Sequence, residues 1–85
     1  PVARDIAIFV SEGITASAAG AVIDATAGPL RVRTTCFDEF SRDGRTSYAF
    51  RVVFQSSERT LTDVEVNTLM DRVYAAVEAE GWEVR

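Results

Sequence analysis

Histidine and lysine are both missing from the 85 residues. Their absence removes imidazole metal ligands, a His general base, a Ser-His triad, a P-loop lysine and a Schiff-base lysine, and with them most self-contained catalysis. Cysteine occurs once, as Cys36. No internal disulfide can form, and a reducing compartment suits such a chain. Long apolar runs are lacking too: runs such as Ile6 to Val10 and Val52 to Phe54 fall far short of the ~18 to 20 residues of a membrane-spanning helix. The N-terminus lacks the basic-then-apolar order of a signal peptide. A start at Pro1 rather than Met is the pattern expected of an excised or processed piece.

What is present is a globular composition, with 47% hydrophobic and 26% charged residues. The length fits one domain over residues 1–85 and leaves no room for a second core. Nine arginines stand against thirteen acids, for a net charge of −4. A whole-domain polyanion binder would be basic, so any nucleic-acid contact has to be local.

The hydrophobic pattern sets the element order. Arg4 to Val10 alternates, with Ile6, Ile8 and Val10 on one side, and reads as a strand. Thr15 caps a helix expected from about Ala16 to Ala27, with Ile14 as a staple and Gly28-Pro29 as the stop. A second strand, about Leu30 to Phe40, sets Leu30, Val32, Thr34 and Cys36 against Arg31, Arg33, Thr35 and Phe37, and Ser41-Arg42-Asp43-Gly44 supplies turn chemistry. The third strand, Ser47 to Gln55, is the clearest: Tyr48, Phe50, Val52 and Phe54 share one face. Thr62 and Glu65 form a capping box for a second helix, whose Val66, Leu69, Met70, Val73 and Val77 keep helical spacing up to Gly81. Trp82 to Arg85 is a short last strand. The βαββαβ order, with one apolar face per strand and two apolar helix stripes, predicts a ferredoxin-like α+β fold. It is an antiparallel four-stranded sheet with two helices on one face and the other face open.

Charge is unevenly spread over this scaffold. Residues 31 to 51 carry +2, whereas residues 52 to 85 carry −4. Strict alternation brings Arg33, Phe37, Ser47 and Arg51 together on the open face, a set of guanidinium, hydroxyl and aromatic groups suited to phosphates and unstacked bases. Arg31, Arg42 and Arg45 add positive charge nearby. Ordinary solvated arginines are the competing reading, and Phe37 and Phe9 compete as packing residues at strand ends. Cys36 falls on the inward alternation, where a small buried hydrophobe is expected. Asp5 is expected to pair with its neighbour Arg4 at the strand start. The acids Glu78, Glu80 and Glu83 read as a solvated helix face.

Four segments occur in order: Arg4-Asp5-Ile6-Ala7, Phe37-Asp38-Glu39-Phe40, Ser47-Tyr48-Ala49-Phe50-Arg51, and Arg59-Thr60-Leu61-Thr62-Asp63-x-Glu65-Val66. Together they resemble the C-terminal ferredoxin-fold anticodon-binding domain of bacterial phenylalanyl-tRNA synthetase beta chains, over essentially the whole chain. The resemblance implies a cytoplasmic module that meets the anticodon stem-loop of phenylalanine tRNA. It also implies that the partners are the rest of a beta chain and the alpha chain of an alpha2-beta2 ligase. ATP, magnesium and phenylalanine would be handled by the alpha chain, leaving this domain without a cofactor, a metal or a catalytic residue. The Ser41 to Thr46 hairpin is a few residues shorter than is usual in that family and lacks its lysines, so Arg42 and Arg45 stand in their place.

Two other function classes share the scaffold. An amino-acid effector domain would bind its ligand near the loop Ser11-Glu12-Gly13, between the first strand and first helix. An assembly module would cover the open face with a partner sheet.

Overall fold

A computed structural model describes residues 1–85. Strand β1 (Val2–Val10), helix α1 (Ala16–Ala27), strands β2 (Arg31–Arg42) and β3 (Arg45–Phe54), helix α2 (Asp63–Ala79) and strand β4 (Glu83–Val84) follow in the expected order. The strands pair antiparallel in the order β2-β3-β1-β4. Each βαβ unit thus has a strand of the other inserted between its two strands, the ferredoxin-like arrangement.

Local chemistry fixes the element ends. The Thr15 side chain accepts from the Ala18 amide and starts α1. At α2 the capping box is complete: Thr62 accepts from the Glu65 amide while the Glu65 carboxylate accepts from the Thr62 amide. Helix α2 ends in a Schellman motif, with the Gly81 amide donating to the Glu78 carbonyl and the Trp82 amide to the Val77 carbonyl. Gly81 adopts φ +84° there, in the left-handed region that favours glycine. Between β2 and β3, Asp43 and Gly44 both take positive φ, 53° and 76°. They form the two-residue type I′ turn that matches strand twist and closes Arg42 onto Arg45.

One sheet face is buried beneath both helices. Ile6 and Ile8 of β1 and Tyr48, Phe50, Val52 and Phe54 of β3 pack with Ala19, Ile23 and Ala27 of α1 and Val66, Met70, Val73 and Val77 of α2. Trp82 joins this core instead of the sheet, so the last strand is only Glu83–Val84. The Tyr48 hydroxyl reaches the Ile14 carbonyl at 2.7 Å, tying the centre of β3 to the start of α1. No helix is long and apolar enough to cross a membrane.

Strand β2 departs from strict alternation. Its register against β3 slips between Arg31 and Arg33 and again between Cys36 and Asp38, leaving Val32 and Phe37 as the extra residues of two β-bulges. Because side chains alternate with period two, each bulge exchanges the faces beyond it. Thr34 and Cys36 stay on the helix side, opposite Val52 and Phe50, and Arg33 stays on the open side, opposite Val53. Arg31, however, lies opposite Phe54 on the helix side. Beyond the second bulge it is Asp38, Phe40 and Arg42 that face outward, opposite Ala49, Ser47 and Arg45.

Candidate functional site

The open face has a floor of small side chains. Ala3 and Ala7 of β1 lie opposite Val53 and Ala49 of β3, and Ser47 of β3 lies opposite the larger Phe9. Beside the Ala7–Ala49 pair larger groups lean over the sheet, and three of them are guanidinium groups. Arg45 lies 4.0 Å from the ring centroid of Phe9, Arg51 4.9 Å from that of Phe37, and Arg85 5.4 Å from that of Phe40. Each distance lies within the ~6 Å range of a cation–π contact. Phe37 remains 50% exposed and Phe40 39% exposed, although both are large hydrophobic groups.

The three arginines differ in their charge partners. Arg51 makes a side-on pair with Asp5, its direct cross-strand neighbour: Nε donates at 2.8 Å and Nη2 at 2.9 Å to the two carboxylate oxygens. Those bonds hold the Asp5 carboxyl below its ordinary value and push the guanidinium of Arg51 up. Arg45 pairs with Glu83 of β4. Arg85 has no carboxylate partner and instead donates to the Ser47 hydroxyl at 3.5 Å. Arg33, on the same face, is also without a carboxylate partner. Phe9, Phe40, Arg42, Asp43, Arg45 and Arg85 line a shallow cavity of about 290 Å³ at the hairpin end of the face.

These placements revise the site expected from alternation. Arg33, Phe37 and Arg51 do share the open face, and Arg42 and Arg45 stand at its hairpin end. Ser47 points the same way but is only 1% exposed, because the groups around it fold over the central strand. It serves as floor, reached from outside through Arg85 rather than directly. Arg31 is displaced by the first bulge onto the helix side, where its Nε lies 3.5 Å from the carboxylate of Asp24 in α1. It does not belong to the open face. Asp5 pairs with Arg51 and not with Arg4, which reaches Asp63 at the start of α2. Cys36, expected in the core, is exposed, because β2 is an edge strand that α1 only partly covers.

Phe40 and Arg85 were missed by the alternation argument. The signal for Phe40 was the Phe37-Asp38-Glu39-Phe40 spacing: aromatics three apart cannot share a face of a regular strand, so an outward pair requires a bulge. Arg85 had no local signal, because its position depends on where the chain returns beside β1.

Other candidate chemistry is sparse. No group of three or more Cys, Asp and Glu side chains comes together in a metal-holding arrangement. None of the three surface cavities is lined by Ser11, Glu12 or Gly13, the loop that an amino-acid effector would occupy.

Comparison with known proteins identifies the family of the chain. Residues 1–85 match the family described as ferredoxin-fold anticodon binding domain. The chain is 40% identical over 83 residues to the phenylalanine–tRNA ligase beta subunit of Geobacillus kaustophilus, a match covering 93% of this chain and 10% of that protein. It is 35% identical over 88 residues to the beta subunit of Symbiobacterium thermophilum, covering 99% and 10%. The chloroplastic/mitochondrial phenylalanine–tRNA ligase of Arabidopsis thaliana is 37% identical over 75 residues, covering 86% of this chain and 18% of that enzyme. The chain therefore spans about a tenth of the length of the bacterial beta subunits it matches.

Proposed function

The chain belongs to the ferredoxin-fold anticodon binding domain family, and on that premise we propose that its open sheet face binds the anticodon stem-loop of phenylalanine tRNA. The observation that carries the proposal is the set of three guanidinium–phenyl pairs around an alanine floor. Exposed aromatic faces give unpaired bases a stacking surface that is indifferent to sequence, and guanidinium groups attract the phosphates between them. An anticodon loop presents unstacked bases of this kind, whereas a duplex buries them.

The overall charge is consistent with a positioned module rather than a general RNA binder. At −4 the domain repels polyanions at long range, and the cations without carboxylate partners on the open face, Arg33 and Arg85, act only at contact. Phe9, Phe37 and Phe40 supply the stacking surface, Arg85 and Arg33 the phosphate contacts, and Arg42 and Arg45 electrostatic support at the hairpin. In this reading the domain has no catalytic role. It acts as part of a cytoplasmic phenylalanine–tRNA ligase of alpha2-beta2 form, whose alpha chain handles phenylalanine, ATP and magnesium.

The test is binding of a fluorescent phenylalanine-tRNA anticodon stem-loop, followed by anisotropy at low salt, beside a blunt RNA duplex of equal length. Preference for the stem-loop, lost in Phe40→Ala, is expected. Equal binding of both RNAs, or a stem-loop affinity unmoved by Phe40→Ala, would remove the open face as the site.

A further inference from the structure

Arg51 carries the only side-on, two-bond ion pair in the protein, and this pair lies in the middle of the open face. Its partner Asp5 sits directly opposite on β1, so both ends are fixed by the central pairing of the sheet. The plane of the guanidinium is therefore set before any ligand arrives. Phe37 is in the opposite situation. It is the extra residue of the Cys36–Asp38 bulge, has no register partner on β3, and is half exposed. The ladder leaves its ring direction open, and the group it leans on is the guanidinium of Arg51, 4.9 Å away.

We propose that Asp5 and Arg51 are positioning residues: Asp5 neutralises Arg51 and locks it as a prop for the Phe37 ring, so that Arg51 does not bind phosphate. The proposal rests on the reading of the open face as an RNA surface and assigns roles within it. A phosphate brought to Arg51 would meet the Asp5 carboxylate across the same guanidinium, and like charges at that separation repel. With its charge compensated, Arg51 offers the planar face that stacks on an aromatic ring. The other side of the Phe37 ring is left for a base. Asp5 thus keeps an unpaired cation off the centre of the face, where it would hold any polyanion without regard to the bases.

The distinguishing measurement is the salt dependence of stem-loop binding by the 85-residue chain. A single-strand phosphate contact contributes about 0.7 to the log-log slope. Arg51→Ala is expected to leave the slope at its wild-type value while weakening binding by about 5- to 150-fold, the effect of losing one base stack. Phe37→Ala should match it, and the double variant should be no weaker than Phe37→Ala alone. Asp5→Asn should steepen the slope by about 0.7, as the released guanidinium takes a phosphate, and Asp5→Glu should restore the wild-type slope. A slope shallower by about 0.7 in Arg51→Ala, with no change in Asp5→Asn, would make Arg51 an ordinary phosphate contact and overturn the proposal. Wild-type affinity and slope in both variants would overturn it as well, leaving the RNA reading intact. Absence of stem-loop binding by the wild-type chain would overturn the RNA reading itself, and this assignment with it. Thermal melts of each variant separate these outcomes from loss of the fold.

Discussion

Arg85, just past β4, lies over the ring of Phe40 on β2, so the two edges of the sheet meet above its central strands. Beneath them Ser47 is closed off from solvent, and its hydroxyl oxygen accepts from Arg85. A sheet face without helices is thus partly roofed by its own long side chains. The cavity at the hairpin end lies beside this bridge, with Phe9 and Arg45 on its other side.

Removing the bridge should expose that floor and take away one unpaired cation. Arg85→Ala is expected to shallow the log-log salt dependence of stem-loop binding by about 0.7. Phe40→Ala should leave that slope alone and weaken binding by ~1 to 3 kcal/mol, as expected for one stacked base. Titrations at several salt concentrations read both effects; identical slopes for the two variants would contradict the division of roles.

The start of α2 offers a prediction about folding. Thr62→Ala removes the acceptor for the Glu65 amide and should cost ~0.5 to 2 kcal/mol. Total stability for a chain of this length is expected near 4 to 13 kcal/mol, roughly 0.05 to 0.15 kcal/mol per residue, so a denaturant melt resolves the loss. An unchanged midpoint would show that the capping box is not formed in solution.

Acid should loosen the same helix end. The Arg59 side chain and the Thr62 amide hold the Glu65 carboxyl below its ordinary value of 4.5, and Arg51 does the same for Asp5, whose ordinary value is 3.8. With folded values depressed, the stabilisation is present above the ordinary values and is lost as pH falls through the folded ones. Melting temperature should therefore drop as pH is lowered from about 5 into that range, and Glu65→Gln should lessen the drop. Both carboxylates are partly solvated, so the change is expected to be gradual rather than a collapse.

Cys36 should behave as a surface thiol. It is exposed on the edge strand, and its Sγ makes only a 3.4 Å contact with the Asp38 carbonyl. A maleimide dye should modify the native protein at one site per chain without denaturant, and Cys36→Ser should shift stability by less than about 0.5 kcal/mol. Modification that requires unfolding would return Cys36 to the core.

The helices, the core face of β3 and the hairpin turn were legible in the sequence because each is set by local chemistry: a cap, a period or a pair of positive-φ residues. Thr62 with Glu65 and Asp43 with Gly44 are cases in which a few neighbours suffice. Strand β2 was read correctly only between its bulges, since a bulge depends on how the partner strand takes up the slack. That is why Arg31 was misplaced and Phe40 overlooked, whereas Cys36 keeps its expected face and is exposed because β2 is an edge strand. The ion pairs were illegible for a related reason: Asp5 and Arg51 lie 46 residues apart and meet only through the β1–β3 register.

The two ends of the first bulge offer the sharpest functional contrast. Arg31 and Arg33 are two positions apart and chemically identical, so any model based on net charge predicts equal effects from their removal. The register places them on opposite faces: Arg31 opposite Phe54 and against Asp24, Arg33 opposite Val53 with no carboxylate partner. Arg33→Ala should therefore weaken stem-loop binding and shallow its salt dependence by about 0.7, because a free cation on the open face is lost. Arg31→Ala should leave that slope unchanged, because its charge is already compensated by Asp24 and points away from the RNA. The expected cost there is structural and small, on the order of 0.2 to 1 kcal/mol for a partly exposed ion pair. Equal loss of RNA binding in the two variants would mean either that the bulge does not form in solution or that the RNA engages the helix side of β2. Asp24→Ala decides between these: RNA on the helix side would reach the freed Arg31 and steepen the slope by about 0.7, whereas without the bulge Arg31 lies on the open face, away from Asp24, and the slope stays unchanged.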